Sequence, residues 1–216
     1  FTPQSSFTML NPATLHFLTD LKANNNKPWF DANRPFYEAA KADFLNFITK
    51  VIEELGRFDP AIAEANLQPK ACTFRINRDV RFSADKSPYK TNLAAWFHAG
   101  GKHTNSAGYY LHVQPGDSFV AGGLYMPEPK VLAALRQEID YNLPAFEALL
   151  NHPDFKSHFT GLSREDALQR PPKGYGADNP AIEYLKLKSF TASHPLPDAV
   201  LTKSVLLGEV MGAFRG

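Results

Sequence analysis

The chain has one cysteine, Cys72, among 216 residues. That excludes an internal disulfide framework and a four-thiolate zinc site, and it fits a reducing cytoplasm. The residues around Cys72 read as the start of a buried strand, where a thiol behaves as a small hydrophobe; only the nearby Lys70 argues for a reactive one. No apolar run approaches the ~18–20 residues that span a bilayer, and the first residues lack a basic stretch followed by an apolar one, so neither a membrane helix nor a signal peptide is expected. Net charge is nearly absent, at +1. Such a balance predicts only a weak electrostatic footprint for a polyanion, which makes nucleic acid an unlikely partner.

Complete chemical signatures are missing too. Gly100-Gly101 and Gly122-Gly123 lack the strand, glycine loop, Lys-Ser/Thr and helix order of a phosphate loop. Asp20, Asp31, Glu38 and Asp43 fall near helix N-termini or on exposed faces, and no carboxylate pair stands out for acid–base work. His98, His103 and His112 lie in or beside a predicted hairpin that pairs Trp96 with Leu111. Their spacing does not demand a metal, and none is assigned. No cofactor is assigned either, and nothing in the sequence indicates an oligomeric state.

What the chain does have is rings. Aromatics make up 12% of the residues and Phe alone occurs 17 times, enough to build a core from both helices and strands without covalent staples. The expected organisation is a flexible lead over 1–9 followed by a single α+β domain over 10–216. Asn11-Pro12 starts a helix carrying Leu15, Leu18 and Leu21, and a longer helix after Trp29-Phe30 repeats apolar residues every three or four positions from Tyr37 to Leu55, with Pro35 in its first turn and Gly56 at its end. The period then changes. Residues 73–82, 93–97, 109–113, 119–125 and 185–190 read as about five strands of a largely antiparallel sheet, with Gly122-Gly123 marking a bulge or the close approach of another backbone. Helical spacing returns between Val131 and Leu168, and a last helix is expected from about Asp198 to Phe214.

One segment concentrates the charge. Residues 70–92 hold six Lys/Arg and two Asp, a local +4, which leaves 17 basic and 20 acidic residues elsewhere, or −3. If 73–82 is extended, Thr73, Arg75, Asn77, Asp79 and Arg81 share one face, and Arg78 falls among Phe74, Ile76, Val80 and Phe82 on the other. At ~3.3 Å per residue a straight strand would separate Arg75 and Arg81 by about 20 Å, too far to grip one phosphate, so a shared site requires a bend near Asn77 to Asp79.

Several stretches together resemble a known family: Asn24-Asn25-Asn26-Lys27-Pro28-Trp29-Phe30-Asp31, Phe74-Arg75-Ile76-Asn77-Arg78-Asp79-Val80-Arg81-Phe82, Asp85-Lys86-Ser87-Pro88-Tyr89-Lys90-Thr91-Asn92, Gly122-Gly123-Leu124-Tyr125 and Arg170-Pro171-Pro172-Lys173-Gly174. In wording and order they are similar to the family catalogued as domain of unknown function 2461, found in bacteria and fungi, over about Leu10 to the end. The resemblance implies no reaction, cofactor or catalytic residue. It does direct attention to the polar residues inside those motifs.

The leading expectation is a cytoplasmic protein that binds a small anionic ligand, phosphorylated compounds included, through Arg75, Asn77, Arg78, Asp79, Arg81, Lys86, Tyr89 and Lys90, with Trp29 as a further wall. Two alternatives stand beside it. Basic residues interleaved with Phe74, Phe82 and Tyr89 are compatible with a nucleic-acid module, and the Arg/Asp motif is equally what an internal ion-pair network within a structural or protein-interaction module would contain. For Trp29 and Phe30, anchoring the long helix in the core is the favoured role.

Overall fold

The computed structural model describes residues 8–101 and 105–216. Its first half is helical: α1 (Pro12–Ala23), α2 (Lys27–Ala32), α3 (Arg34–Leu55), α4 (Pro60–Ala65) and α5 (Pro69–Cys72). The starts are set by side chains that satisfy otherwise unpaired N–H groups. Asn11 Oδ1 accepts from Ala13 N at 2.9 Å, Asn26 Oδ1 from Trp29 N at 3.0 Å and Asp59 Oδ1 from Ala61 N at 3.0 Å, each followed by a proline within the first helical residues. The 22-residue α3 buries Ala40, Phe44, Phe47, Ile48, Val51 and Leu55 along one stripe. Burying a large apolar side chain of this kind stabilises the fold by about 1.5–3 kcal/mol, so this helix anchors the main core.

The second half forms a sheet from β1 (Leu93–Phe97), β2 (Gly108–Val113), β3 (Ser118–Leu124) and β4 (Phe190–Leu196), with α6 (Pro129–Tyr141), α7 (Leu143–Leu150), α8 (Pro153–His158) and α9 (Ile182–Leu185) inserted between β3 and β4, and α10 (Asp198–Leu201) and α11 (Leu206–Arg215) at the end. The order is β1-β2-β3-β4, antiparallel throughout. Pleating divides its residues between two faces. Leu93, Ala95, Phe97, Leu111, Val113 and Val120 are buried in the main core, where Phe97 and Tyr109 meet Phe214 of α11. A smaller cluster of Ile139, Ala181, Leu185, Leu187 and Phe190 ties the inserted helices to the end of β4.

The α+β class agrees with the sequence, and the sheet has four strands rather than five. Residues 73–82 do not form a strand: Thr73 makes a single bridge to Ala95, Phe74 N bonds to Ala94 O, and the chain then leaves the sheet, Asn77 bridging only Tyr89. In the expected strand 185–190, only Phe190 belongs to β4; Leu185 closes α9. The last helix is broken between Leu201 and Leu206. The β1–β2 register is shifted by one from the expected pairing, so that Trp96 faces Tyr110 and Ala95 faces Leu111. Because side chains alternate, that shift puts Trp96 on the same face as Tyr110 and His112. Residues 1–7 of the expected lead, and His103, lie outside the described residues. Thr8, at its end, accepts a hydrogen bond from Leu207 N at 3.1 Å.

Gly123 is where the Gly-Gly pair in β3 earns its place in the sequence. Its φ is +120°, and a Cβ built there would lie 2.1 Å from the Phe190 carbonyl oxygen on the neighbouring strand. Replacing it therefore combines backbone strain with a clash against a main chain that cannot yield. Gly123→Ala is expected to lower stability by about 3 kcal/mol or more in urea unfolding; a change below about 1 kcal/mol would show that β3 and β4 separate there without cost.

Candidate functional site

The basic segment begins by crossing the edge of the sheet. Phe74 N donates to Ala94 O at 3.0 Å, and the small Ala94 leaves room for the Phe74 ring to reach Tyr110, centroid to centroid 6.3 Å. Two residues later a short ladder forms, with Lys90 N donating to Ile76 O at 2.8 Å and Arg78 N to Pro88 O at 2.9 Å. Asn77 and Tyr89 thus face each other across a closed neck. Tyr89 turns its own N–H and C=O the other way, where the Asn25 side chain accepts from the first at 3.1 Å and donates to the second at 2.9 Å. Its ring stacks on Phe30 at 3.9 Å and is buried.

Beyond the neck, residues 78–88 form a protruding loop whose charges are largely answered within it. Arg78, on the apolar side of the expected strand, escapes burial by turning into this loop, where its guanidinium pairs with Asp85 and donates to Ser87 O at 3.2 Å. Arg81 binds Asp79 through Nε at 2.9 Å and Nη2 at 2.6 Å. Lys86 Nζ donates to Val80 O at 3.0 Å. The bonds from Ser87 N and Oγ, and then Arg78, hold the Asp85 carboxyl down at about 2. Arg81 likewise lowers Asp79, with a smaller contribution from Arg75.

The nine residues singled out from sequence therefore do not share one cleft. Arg78, Asp79, Arg81 and Lys86 brace the loop, and Arg75 is exposed near Asp79. Asn77 and Tyr89 border a depression of about 420 Å³ together with Lys27, Arg34, Tyr37 and Lys41, but Asp31 and Glu38 pair with two of those cations. Trp29 packs on Phe17 at 6.1 Å beside the main core. Lys90 Nζ lies 5.4 Å from the centre of the Phe74 ring.

The larger hollow lies over the face of the sheet turned away from α3. It measures about 740 Å³, and its floor is Trp96 from β1, Tyr110 and His112 from β2 and Phe119 from β3. Gly108 makes this floor flat: a Cβ there would come within 2.5 Å of Trp96 Cζ2, so the indole lies directly on the β2 backbone. His112 stacks on Phe119 at 4.8 Å with the planes only 13° apart, and its Nδ1 lies 3.0 Å from the Tyr110 hydroxyl. Burial pushes the Tyr110 phenol up to about 12 and lowers His112, so at neutral pH the floor carries no charge. Phe74 walls one side; Ser163, Glu165, Asp166 and Lys188 wall the other. That second wall is held against β4 by Ser163 N donating to Thr191 O at 2.7 Å.

None of these four rings is among the ligand-binding residues expected from sequence, and the expected Trp96–Leu111 pairing would put Trp96 on the opposite face from Tyr110 and His112. The usable signal was the alternation in Tyr110-Leu111-His112 and Phe119-Val120-Ala121, which puts every second residue on one face. Among the described residues no group of three His, Cys, Asp or Glu is arranged to hold a metal ion, and no helix is long and apolar enough to cross a membrane.

The loop's own pH response follows from Asp85. Its folded pKa, about 2, lies below the unassociated value of 3.8, so its contribution is fully present above pH 3.8 and is lost as pH falls through about 2. The Ser87 amide resonance is expected to titrate near pH 2 and to lose that transition in Asp85→Asn. A midpoint at 3.8 would mean that the carboxylate does not brace the loop.

Comparison with known proteins completes the description. No curated protein and no solved structure matches the chain. A family model described as a conserved hypothetical protein, DUF2461, matches residues 13–216. With nearly its entire length covered, the chain belongs to the DUF2461 family.

Proposed function

We propose that this protein binds a small ring-bearing anion in the cleft over the open face of its sheet. The observation that carries the proposal is the uncharged aromatic floor of Trp96, Tyr110, His112 and Phe119 under a hollow of about 740 Å³, within the ~300–1,000 Å³ common for small-molecule sites. The floor rings are half-buried, and each offers its open face, worth about 1–3 kcal/mol, to a stacked planar group. Lys90 stands over the Phe74 ring at one margin, while in the far wall Lys188 is outnumbered by Glu165 and Asp166. The Lys90 ammonium favours a ligand with an anionic substituent at its end, which keeps the anion expected from sequence but moves it from the loop arginines to the cleft. The single cysteine accords with a cytoplasmic setting for such a protein.

The chain's two tryptophans provide a direct assay. In a Trp29→Phe background Trp96 is the only indole, so titration with phenyl phosphate is expected to quench its fluorescence saturably. Tyr110→Ala in the same background should weaken binding about tenfold, the equivalent of 1.4 kcal/mol of lost stacking. Unchanged emission together with no heat of binding in calorimetry would defeat the proposal.

A further inference from the structure

We infer that the cleft takes a nucleoside monophosphate, held with its phosphate at the Phe74 margin and the hydrogen-bond donors of its base at the opposite, acidic margin. This rests on the ring-binding reading above and adds the ligand's class and direction. The cleft is bipolar. On the Phe74 side the Lys90 ammonium lies 5.4 Å from the centre of the Phe74 ring. On the other side Glu165 and Asp166, adjacent in sequence, line the wall, and Ser163, Thr191 and Ser193 also line the cleft.

The neighbouring charges explain why those carboxylates face the cleft available. Arg164 and Lys186, the closest cations along the two adjoining segments, are both paired with Glu183. Among the described residues Glu165 and Asp166 form no salt bridge, and Lys188 is the one Lys or Arg in the cleft lining. Two ionised carboxylates accept hydrogen bonds and donate none, so the ligand must bring N–H or O–H donors to that end. An anion placed there would be repelled, and a purely hydrocarbon ring would leave them unanswered.

The length fits the same class. Phe74 reaches over β1 to Tyr110, and three inter-strand spacings, about 14 Å, separate β2 from the Ser163 segment beyond β4. A nucleotide has the required sequence of parts: phosphate at one end, a planar base to lie on the rings, and an edge of donors at the other. A guanine edge suits the wall best, because its adjacent imino and amino N–H groups match one carboxylate in the bidentate manner.

Calorimetry with GMP and with phenyl phosphate tests the inference on the full chain. Both compounds carry a phosphate and a ring, and only GMP carries the donor edge. GMP is expected to bind at least tenfold more tightly, and the double variant Glu165→Gln, Asp166→Asn should remove that advantage while phenyl phosphate binding stays the same or rises. Lys90→Gln should weaken both ligands several-fold. Equal affinities, or a GMP advantage that survives the double variant, would overturn the inference and leave the ring-binding reading intact. If neither compound binds, both readings fail; if phenyl phosphate binds and GMP does not, the inference fails and the ring-binding reading stands. The substituted carboxylates are exposed, so near-identical thermal unfolding of the variants serves as the check on folding.

Discussion

Two hydrogen bonds between the Asn25 amide and the backbone of Tyr89 hold the basic segment to the helical half. Each is worth about 1 kcal/mol net, and breaking the pair would leave polar groups unsatisfied in a largely buried position, which costs more. The Tyr89 ring, stacked on Phe30, adds the burial of an aromatic side chain at the same point. With Tyr89 fixed, the short ladder of residues 76–78 and 88–90 closes, and Phe74 is carried across the edge of β1 onto Tyr110. One margin of the cleft therefore depends on a contact made on the far side of the segment. A residue of the helical N-terminal half, Asn25, thereby shapes a site on a sheet that begins at residue 93.

Charge and cleft are separated in this fold. The segment that gives the chain its local +4 meets much of its own demand: Arg78 and Arg81 answer Asp85 and Asp79, and Lys86 closes on a carbonyl. These pairs are solvent-exposed, so their energetic worth is small, and their structural effect is to hold the loop in one shape. The cleft, by contrast, owes its character to neutral rings and to a few ionic groups at its margins. Steric detail completes it. Gly108 lets the Trp96 indole lie on the strand, and Gly123 lets β4 approach closely enough for its Thr191 and Ser193 to join the wall.

The parts legible from sequence are those governed by neighbours along the chain. Apolar spacing located α1 and α3, and Asn11-Pro12 marked the first of these helices because a cap and a proline act within one turn. Apolar runs between turn-rich stretches located β1, β2 and β3, and the Gly122-Gly123 pair announced a close backbone approach that Gly123 makes. The errors came where distant contacts compete. Residues 73–82 alternate well enough for a strand, yet Asn77 and Arg78 find partners across the neck and in the loop, and the chain leaves the sheet. The β1–β2 register slipped by one because local pattern leaves pairing partners open, although a single step exchanges the two faces.

By itself the sequence determined the α+β class, the positions of most elements, the concentration of positive charge between residues 70 and 92, and the absence of any disulfide framework. Each follows from composition or from periods of two and 3.6 residues, which any chain carries in one dimension. Only the tertiary structure decided that Trp96, Tyr110, His112 and Phe119 share one open face, that Phe74 with Lys90 and Glu165 with Asp166 stand at its opposite margins, and that the arginines of the charged loop turn toward their own carboxylates. Those outcomes depend on strand register and on contacts between residues distant in the chain, 64 positions apart for Asn25 and Tyr89. Such contacts form when the whole chain closes its core, and no local pattern encodes them.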